Sequence, residues 1–197
     1  MLDKQVVDRM QIEPSNFWGH LKTVCTHKYL VMQGCFRVGL YRQGLTHDLS
    51  KFSPTEFGAG IRYFQGHRSP NAAERETHGY SASWLHHKGR NKHHYEYWVD
   101  YSVKEGVFFE PIQMPRKYVT EMLMDRIAAS KVYLGDAYTD RSPLEYYLSG
   151  AKLAKEGKVQ AMHPETEKQL YKLLTMLAEK GEDFTFSYIR RRFLKGK

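Results

Sequence analysis

Leu45-Thr46-His47-Asp48-Leu49-Ser50-Lys51-Phe52 sets an imidazole beside a carboxylate, with an ammonium three residues on. Neutral imidazole and carboxylate together suit divalent transition metals such as Mn, Fe, Co, Ni and Zn. A His-Asp pair also arises by chance, and an aspartate opening a helix complements the macrodipole. The company this pair keeps weighs toward metal: the chain has ten histidines in 197 residues, four of them His86, His87, His93 and His94.

Working outward, Gly39, Gly44 and Thr46 break the chain before the pair, and Ser53-Pro54-Thr55-Glu56 is a capping box after it. That box predicts a helix ending near Gly66. Upstream, Ser15 is placed to cap a helix to about Phe36, with Phe17, Leu21, Val24, Val31 and Cys35 at helical spacing. Residues 68–79 have no period and read as a long loop or a short helix with flanks. Tyr80–His87 and Lys92–Val103 read as two helical pieces hinged at Lys88-Gly89-Arg90-Asn91. Pro115 starts a helix with the stripe Tyr118, Met122, Asp125, Ala129 and Val132. Ser142-Pro143-Leu144-Glu145 opens another, and Pro164, behind His163 as a cap, begins a last one ending at Gly181. Strand signals are nearly missing, so the expected class is an all-α bundle.

Apolar residues at 41% place the chain among globular proteins. Its length fits one domain over 1–197, with a core at about 15–135 on which helices of 142–197 pack. Cys25 and Cys35 stand ten apart on one helix and face different ways, which excludes a disulfide framework or a cysteine zinc site. No apolar run is long enough to span a bilayer, and residues 1–10 carry charges where a signal peptide needs an apolar segment. A cytoplasmic protein without a membrane partner is expected. A formal charge of +8, densest at Arg190-Arg191-Arg192, Lys195 and Lys197, favours anionic partners: phosphorylated small molecules, or less strongly nucleic acid.

Two ionisable groups fall on apolar faces. His20, Val24, His27 and Val31 share a stripe, which turns His27 inward, and Asp125 sits mid-stripe on its helix. A buried polar group without a partner costs roughly 1–3 kcal/mol, so Asp125 needs a metal or a cation such as Arg126 or another helix's lysine. His86 and His93, like His87 and His94, are seven apart, a spacing that stacks each pair on one face of a continuous helix. The aromatics Trp84, Tyr95, Tyr97 and Trp98 argue that this segment packs against the body. Glu56 belongs to its capping box or hydrogen-bonds a ligand histidine, and Glu121 is expected to pair with Lys117 or Arg116. His67 and His78 read as solvated.

The order His27, His47-Asp48, histidine cluster, Asp125 resembles the HD-domain superfamily of metal-dependent phosphohydrolases. His47-Asp48-Leu49-Ser50-Lys51 looks like its His-Asp plus lysine signature, especially that of the HD-GYP cyclic-dinucleotide phosphodiesterases, although no GYP triplet follows here. Over nearly its whole length the chain is also similar to a family of uncharacterised function, through HDLSKFSPTEF, HHKGRNKHHYEYW and HPETE…LLTMLAEKGE.

The first resemblance implies an HD-like helical bundle with one or two divalent transition-metal ions in its core. His27, His47, Asp48 and Asp125 would hold the first, with His20 as the alternative to His27. Asp48 would bridge to a second, held by imidazoles among His86, His87, His93 and His94. It further implies hydrolysis of a nucleotide or other small phosphate ester, with Asp48 and Lys51 as catalytic residues and Lys51, Arg90 and Asn91 contacting substrate. An HD-type di-iron oxygenase and a non-catalytic basic nucleic-acid-binding protein with a structural metal are the alternatives.

Overall fold

Helices α1 (Pro14–Val38), α6 (Arg116–Leu134) and α8 (Pro164–Tyr188) are the frame on which everything else is hung. The computed structural model describes residues 13–156 and 162–196, with side chains left out over 151–156. The charged segment 1–10 lies outside them. Val31, Cys35 and Val38 of α1 meet Val119, Leu123, Met124 and Ile127 of α6 and Leu170, Leu173, Leu174 and Leu177 of α8 in one cluster. Each fully buried leucine there contributes on the order of 1.5–3 kcal/mol. Gly34 lets α1 approach α6 closely, since a Cβ there would sit 2.7 Å from Met124 Sδ.

Between α1 and α6 the chain makes four short helices: α2 (Tyr41–Thr46), α3 (Pro54–Arg62), α4 (Pro70–His78) and α5 (Ala82–Lys88). α7 (Ser142–Glu156) precedes α8. The helix starts follow the local chemistry. Pro14 stands in the first turn of α1, while the Ser53 and Ser81 side chains accept from Glu56 N and Trp84 N. Gly39 ends α1 in the left-handed conformation (φ 87°). Among the described residues no helix is long and apolar enough to cross a membrane.

The expected all-α class holds, with differences in detail. Lys92–Val103 is not a helix. After a 3₁₀ turn at Tyr95–Tyr97, Val99–Tyr101 (β1) pairs antiparallel with Phe109–Pro111 (β2). β-branched and aromatic residues such as Val99 and Tyr101 suit a pleated strand, and the left-handed Gly106 (φ 75°) lies in the connection between the two. α3 stops at Arg62 rather than near Gly66. The segment 68–79 resolves into α4, closed by left-handed Gly79. At Gly181 (φ 78°, ψ 174°) the backbone leaves helical geometry, as the expected end there requires, but a second helical stretch continues α8 across this kink to Tyr188 and a π turn at Ile189–Phe193.

Candidate metal centre

Asp48 is the only non-glycine described residue at positive φ (53°), and this kink builds the centre. Adjacent residues of a helix diverge by about 100°. The left-handed turn instead sends His47 and Asp48 into the same interior, each 1% exposed. Asp48 makes no capping bond to the following turn, so a helix-start role does not account for it. Lys28 on α1 secures the turn by donating to the carbonyls of Leu45 and His47, both at 2.8 Å.

Two donor groups meet on Asp48. In the first, His27 Nε2 lies 3.0 Å from Asp125 Oδ1 and 3.8 Å from Asp48 Oδ2, and His47 Nε2 lies 3.4 and 3.6 Å from Asp48 Oδ2 and Asp125 Oδ1. In the second, the Nε2 atoms of His87 and His93 are each 3.4 Å from the other oxygen, Asp48 Oδ1, and His94 completes the group. Such separations suit a single ion: donors ~2.1 Å from a metal lie ~3.0 Å apart at a right angle and ~3.4 Å at the tetrahedral angle. The Nε2 atoms of His27, His47, His93 and His94 are buried without a hydrogen-bond partner. Left so, each costs on the order of 1–3 kcal/mol. The residues fit a divalent cation in each group.

The opposite edges of the rings are fixed by carboxylates. Glu121 Oε1 accepts from His47 Nδ1 at 3.0 Å and lies 3.3 Å from His93 Nδ1. Glu56 takes His86 Nδ1 and His87 Nδ1 at 2.6 and 2.7 Å. This is the arrangement that presents Nε2 lone pairs to a metal. Glu121, His47 and His93 also form a close set of their own, but both Nε2 atoms already face Asp48, so we assign Glu121 to orienting the rings.

His86 is turned to Glu56 and lies outside both donor groups. His20, the alternative first ligand, is buried between Phe57 and Phe64 beside Gly60 and also lies outside them. Lys51 Nζ sits 2.7 Å from Asp48 Oδ2 and is partly exposed. Arg90 is exposed and donates to His86 O at 3.2 Å. Asn91 Nδ2 is spent on Ser50 Oγ and His87 O, both 2.8 Å away, so it holds the turn between α5 and His93. Glu121 faces His47 and His93, in place of the pairing with Lys117 or Arg116 expected from sequence. It lies one helical turn before Asp125, and α6 directs both toward the histidines. His163 caps α8 by accepting from Glu165 N, and His78 is exposed, as expected, while also hydrogen-bonding Tyr63 Oη at 2.7 Å.

Comparison with family profiles gives a match over residues 16–176 to a family of unknown function. The chain belongs to the DUF5662 family. No curated protein and no solved structure matches it.

The charge balance of this DUF5662 centre is cation-seeking. Burial pushes Asp48 and Asp125 up, but the surrounding imidazoles, with Lys51 beside Asp48, outweigh it and hold both well below the usual carboxylate range. Burial, helped by His93, lowers His94 far below 6.5, and burial and Lys51 lower His27. Those two rings are neutral and ready to ligate. His47 differs: burial alone would lower it, yet Asp48, Asp125 and Glu121 together raise it well above 6.5. In the metal-free protein its protonation therefore stabilises the fold below that ordinary value, and the contribution is lost as pH climbs through the raised one. To bind metal His47 must give up that proton. Zinc uptake is expected to release protons and to tighten as pH rises. Calorimetric titration in buffers of different ionisation enthalpy counts them, and a pH-independent affinity without release would contradict this.

Proposed function

We propose that the centre is a two-metal site that hydrolyses a small phosphate ester. The observation that carries the reading is Asp48 itself, whose two oxygens face different donor groups, one the set His27, His47 and Asp125, the other His87, His93 and His94. A carboxylate so placed can bridge two ions. Along the chain, the order His27, His47-Asp48, His87, His93-His94, Asp125 is that of an HD-type site. Two bound ions would lower the pKa of a water toward 7 and polarise a phosphoryl oxygen.

The chain's own residues do the rest. Glu121 and Glu56 keep the rings in register, and burial excludes bulk water from all but the Asp125, His94 and Lys51 side. Lys51 stays an ammonium: burial opposes its charge, but Asp48 and Asp125 outweigh that and raise its pKa. At the partly exposed edge it is placed to neutralise charge developing on a phosphoryl oxygen. Arg90 and Asn91 are not needed for that step.

The test is elemental analysis of the purified chain followed by a panel of nucleotides and other phosphate esters with the metal found. One or two ions per chain and metal-dependent phosphate release are expected. Bound iron with an oxygen-dependent spectrum and no phosphate release would favour the di-iron oxygenase. A folded protein that takes up none of Mn, Fe, Co, Ni or Zn would sink the site altogether.

A further inference from the structure

The β1–β2 hairpin carries a cluster of exposed apolar side chains. Tyr101, Val103, Phe108 and Phe109 are 68%, 99%, 71% and 56% exposed, and Tyr101 touches the rings of both phenylalanines. With each ring presenting about 200 Å² when free, the three aromatics alone expose on the order of 400 Å². That matches the largest apolar patch of a typical monomer, which is often a functional surface. Val99, Val107 and Ile112 extend it toward the ~800 Å² that each partner contributes to a stable interface.

Charge says what covers it. The hairpin holds Asp100, Glu105 and Glu110 against Lys104 alone, in a chain whose formal charge is +8. The complementary surface is on the same chain. At the foot of the hairpin, just past Ile112, a shallow cleft of about 460 Å³ is lined by Met114, Pro115, Lys117 and Leu194. Arg116 and Lys117 bring positive charge to its lining, and the exposed Arg190, Arg191, Arg192 and Lys195 belong to the C-terminal segment whose Leu194 and Gly196 also line it. It offers an apolar floor with a basic rim to an apolar tip with an acidic flank.

We propose that the hairpin is the arm of a two-fold dimer, each arm seating its aromatic tip in the basic cleft of a second copy. Because root and cleft are neighbours in sequence, a two-fold axis near residues 112–114 lets both arms engage at once. Both complementary surfaces are then covered twice by one symmetry operation, as in most homo-oligomers.

Sedimentation equilibrium of the full chain, from micromolar to near-millimolar protein, tests this. The expected species is a dimer of twice the 23.1 kDa chain mass. Phe108→Ser removes a central ring anchor and is expected to weaken dimerisation about 30-fold, with unchanged helical circular dichroism because the ring is solvent-exposed in one copy. Val103→Ser, at the other side of the tip, repeats the test should Phe108→Ser fold poorly. Arg191→Glu should weaken the dimer, and adding Glu105→Lys should recover part of the loss, since the two contacts are of opposite sign across the interface. A wild-type chain that stays monomeric throughout overturns the proposal. So does a dimer indifferent to the tip substitutions, or one indifferent to Arg191→Glu.

Discussion

Asp48→Asn should strip the protein of both ions while leaving its helices in place. Asp48 stands at φ 53°, a left-handed conformation that asparagine tolerates about as well as aspartate. The substitution therefore keeps the kink and the volume, and removes only the charge and one of the two oxygens. Asp48→Ala would add roughly 1–2 kcal/mol of backbone strain and confuse the two effects. With asparagine, one donor group receives an amide nitrogen that has no lone pair to give, and the other a neutral carbonyl. Lys51, 2.7 Å from Oδ2, loses its counter-charge at the same time. The expected loss in affinity at both positions exceeds the 10–100-fold typical of changes beyond the ligands. Metal content by elemental analysis should fall from one or two ions to none, with far-ultraviolet circular dichroism unchanged and phosphoesterase activity gone. Were Asp48 merely a helix starter, asparagine would be nearly neutral. Full metal retention in Asp48→Asn would dismiss the shared-carboxylate site.

Much of this arrangement is readable in sequence because helical spacing fixes which side chains share a face. The stripe of His20, Val24, His27 and Val31 turns both histidines inward, and all four are buried. Spacing alone does not say which one meets Asp48. That depends on what packs opposite: Phe57, Gly60 and Phe64 beside His20, Asp48 and Asp125 beside His27. The capping box hides a second use for Glu56. Its backbone N–H meets Ser53 as the motif requires, while its carboxylate crosses to His86 and His87, thirty residues on.

The histidine cluster is legible as a cluster and not as a geometry. The spacing of seven holds only for an unbroken helix, and α5 ends at Lys88. Asn91 then turns the chain by bonding His87 O and Ser50, so His87 converges with His93 and His94 while His86 points away. The hairpin escapes periodicity because its strands are only three residues each. Glu121 escapes it because a carboxylate near Lys117 and Arg116 has local partners in any isolated helix. Only the approach of the His47 turn and the His93 loop decides otherwise.

Glu121 also offers the sharpest comparison within the centre. Its Oε1 sits 3.0 Å from His47 Nδ1 and 3.3 Å from His93 Nδ1, one ring from each donor group. Those two rings lie 4.4 Å apart and are tied at the other edge to Asp48. Glu56 holds His86 and His87, and of these only His87 belongs to a donor group. Both carboxylates orient imidazoles without facing the metal positions, yet their reach differs. Glu121→Gln keeps shape and an acceptor oxygen but loses the charge, and a neutral hydrogen bond is roughly half as strong as a charge-assisted one. It should weaken both ions by about 10-fold or more, toward the 100-fold end of the outer-ligand range. Glu56→Gln should weaken only the ion held by His87, His93 and His94. Competition titration with a chelator resolves the two binding steps: both should move in Glu121→Gln, and one in Glu56→Gln. A general loss of stability would move the steps together in both variants. If Glu121→Gln shifts a single step, or neither, the two donor groups are not joined through Glu121.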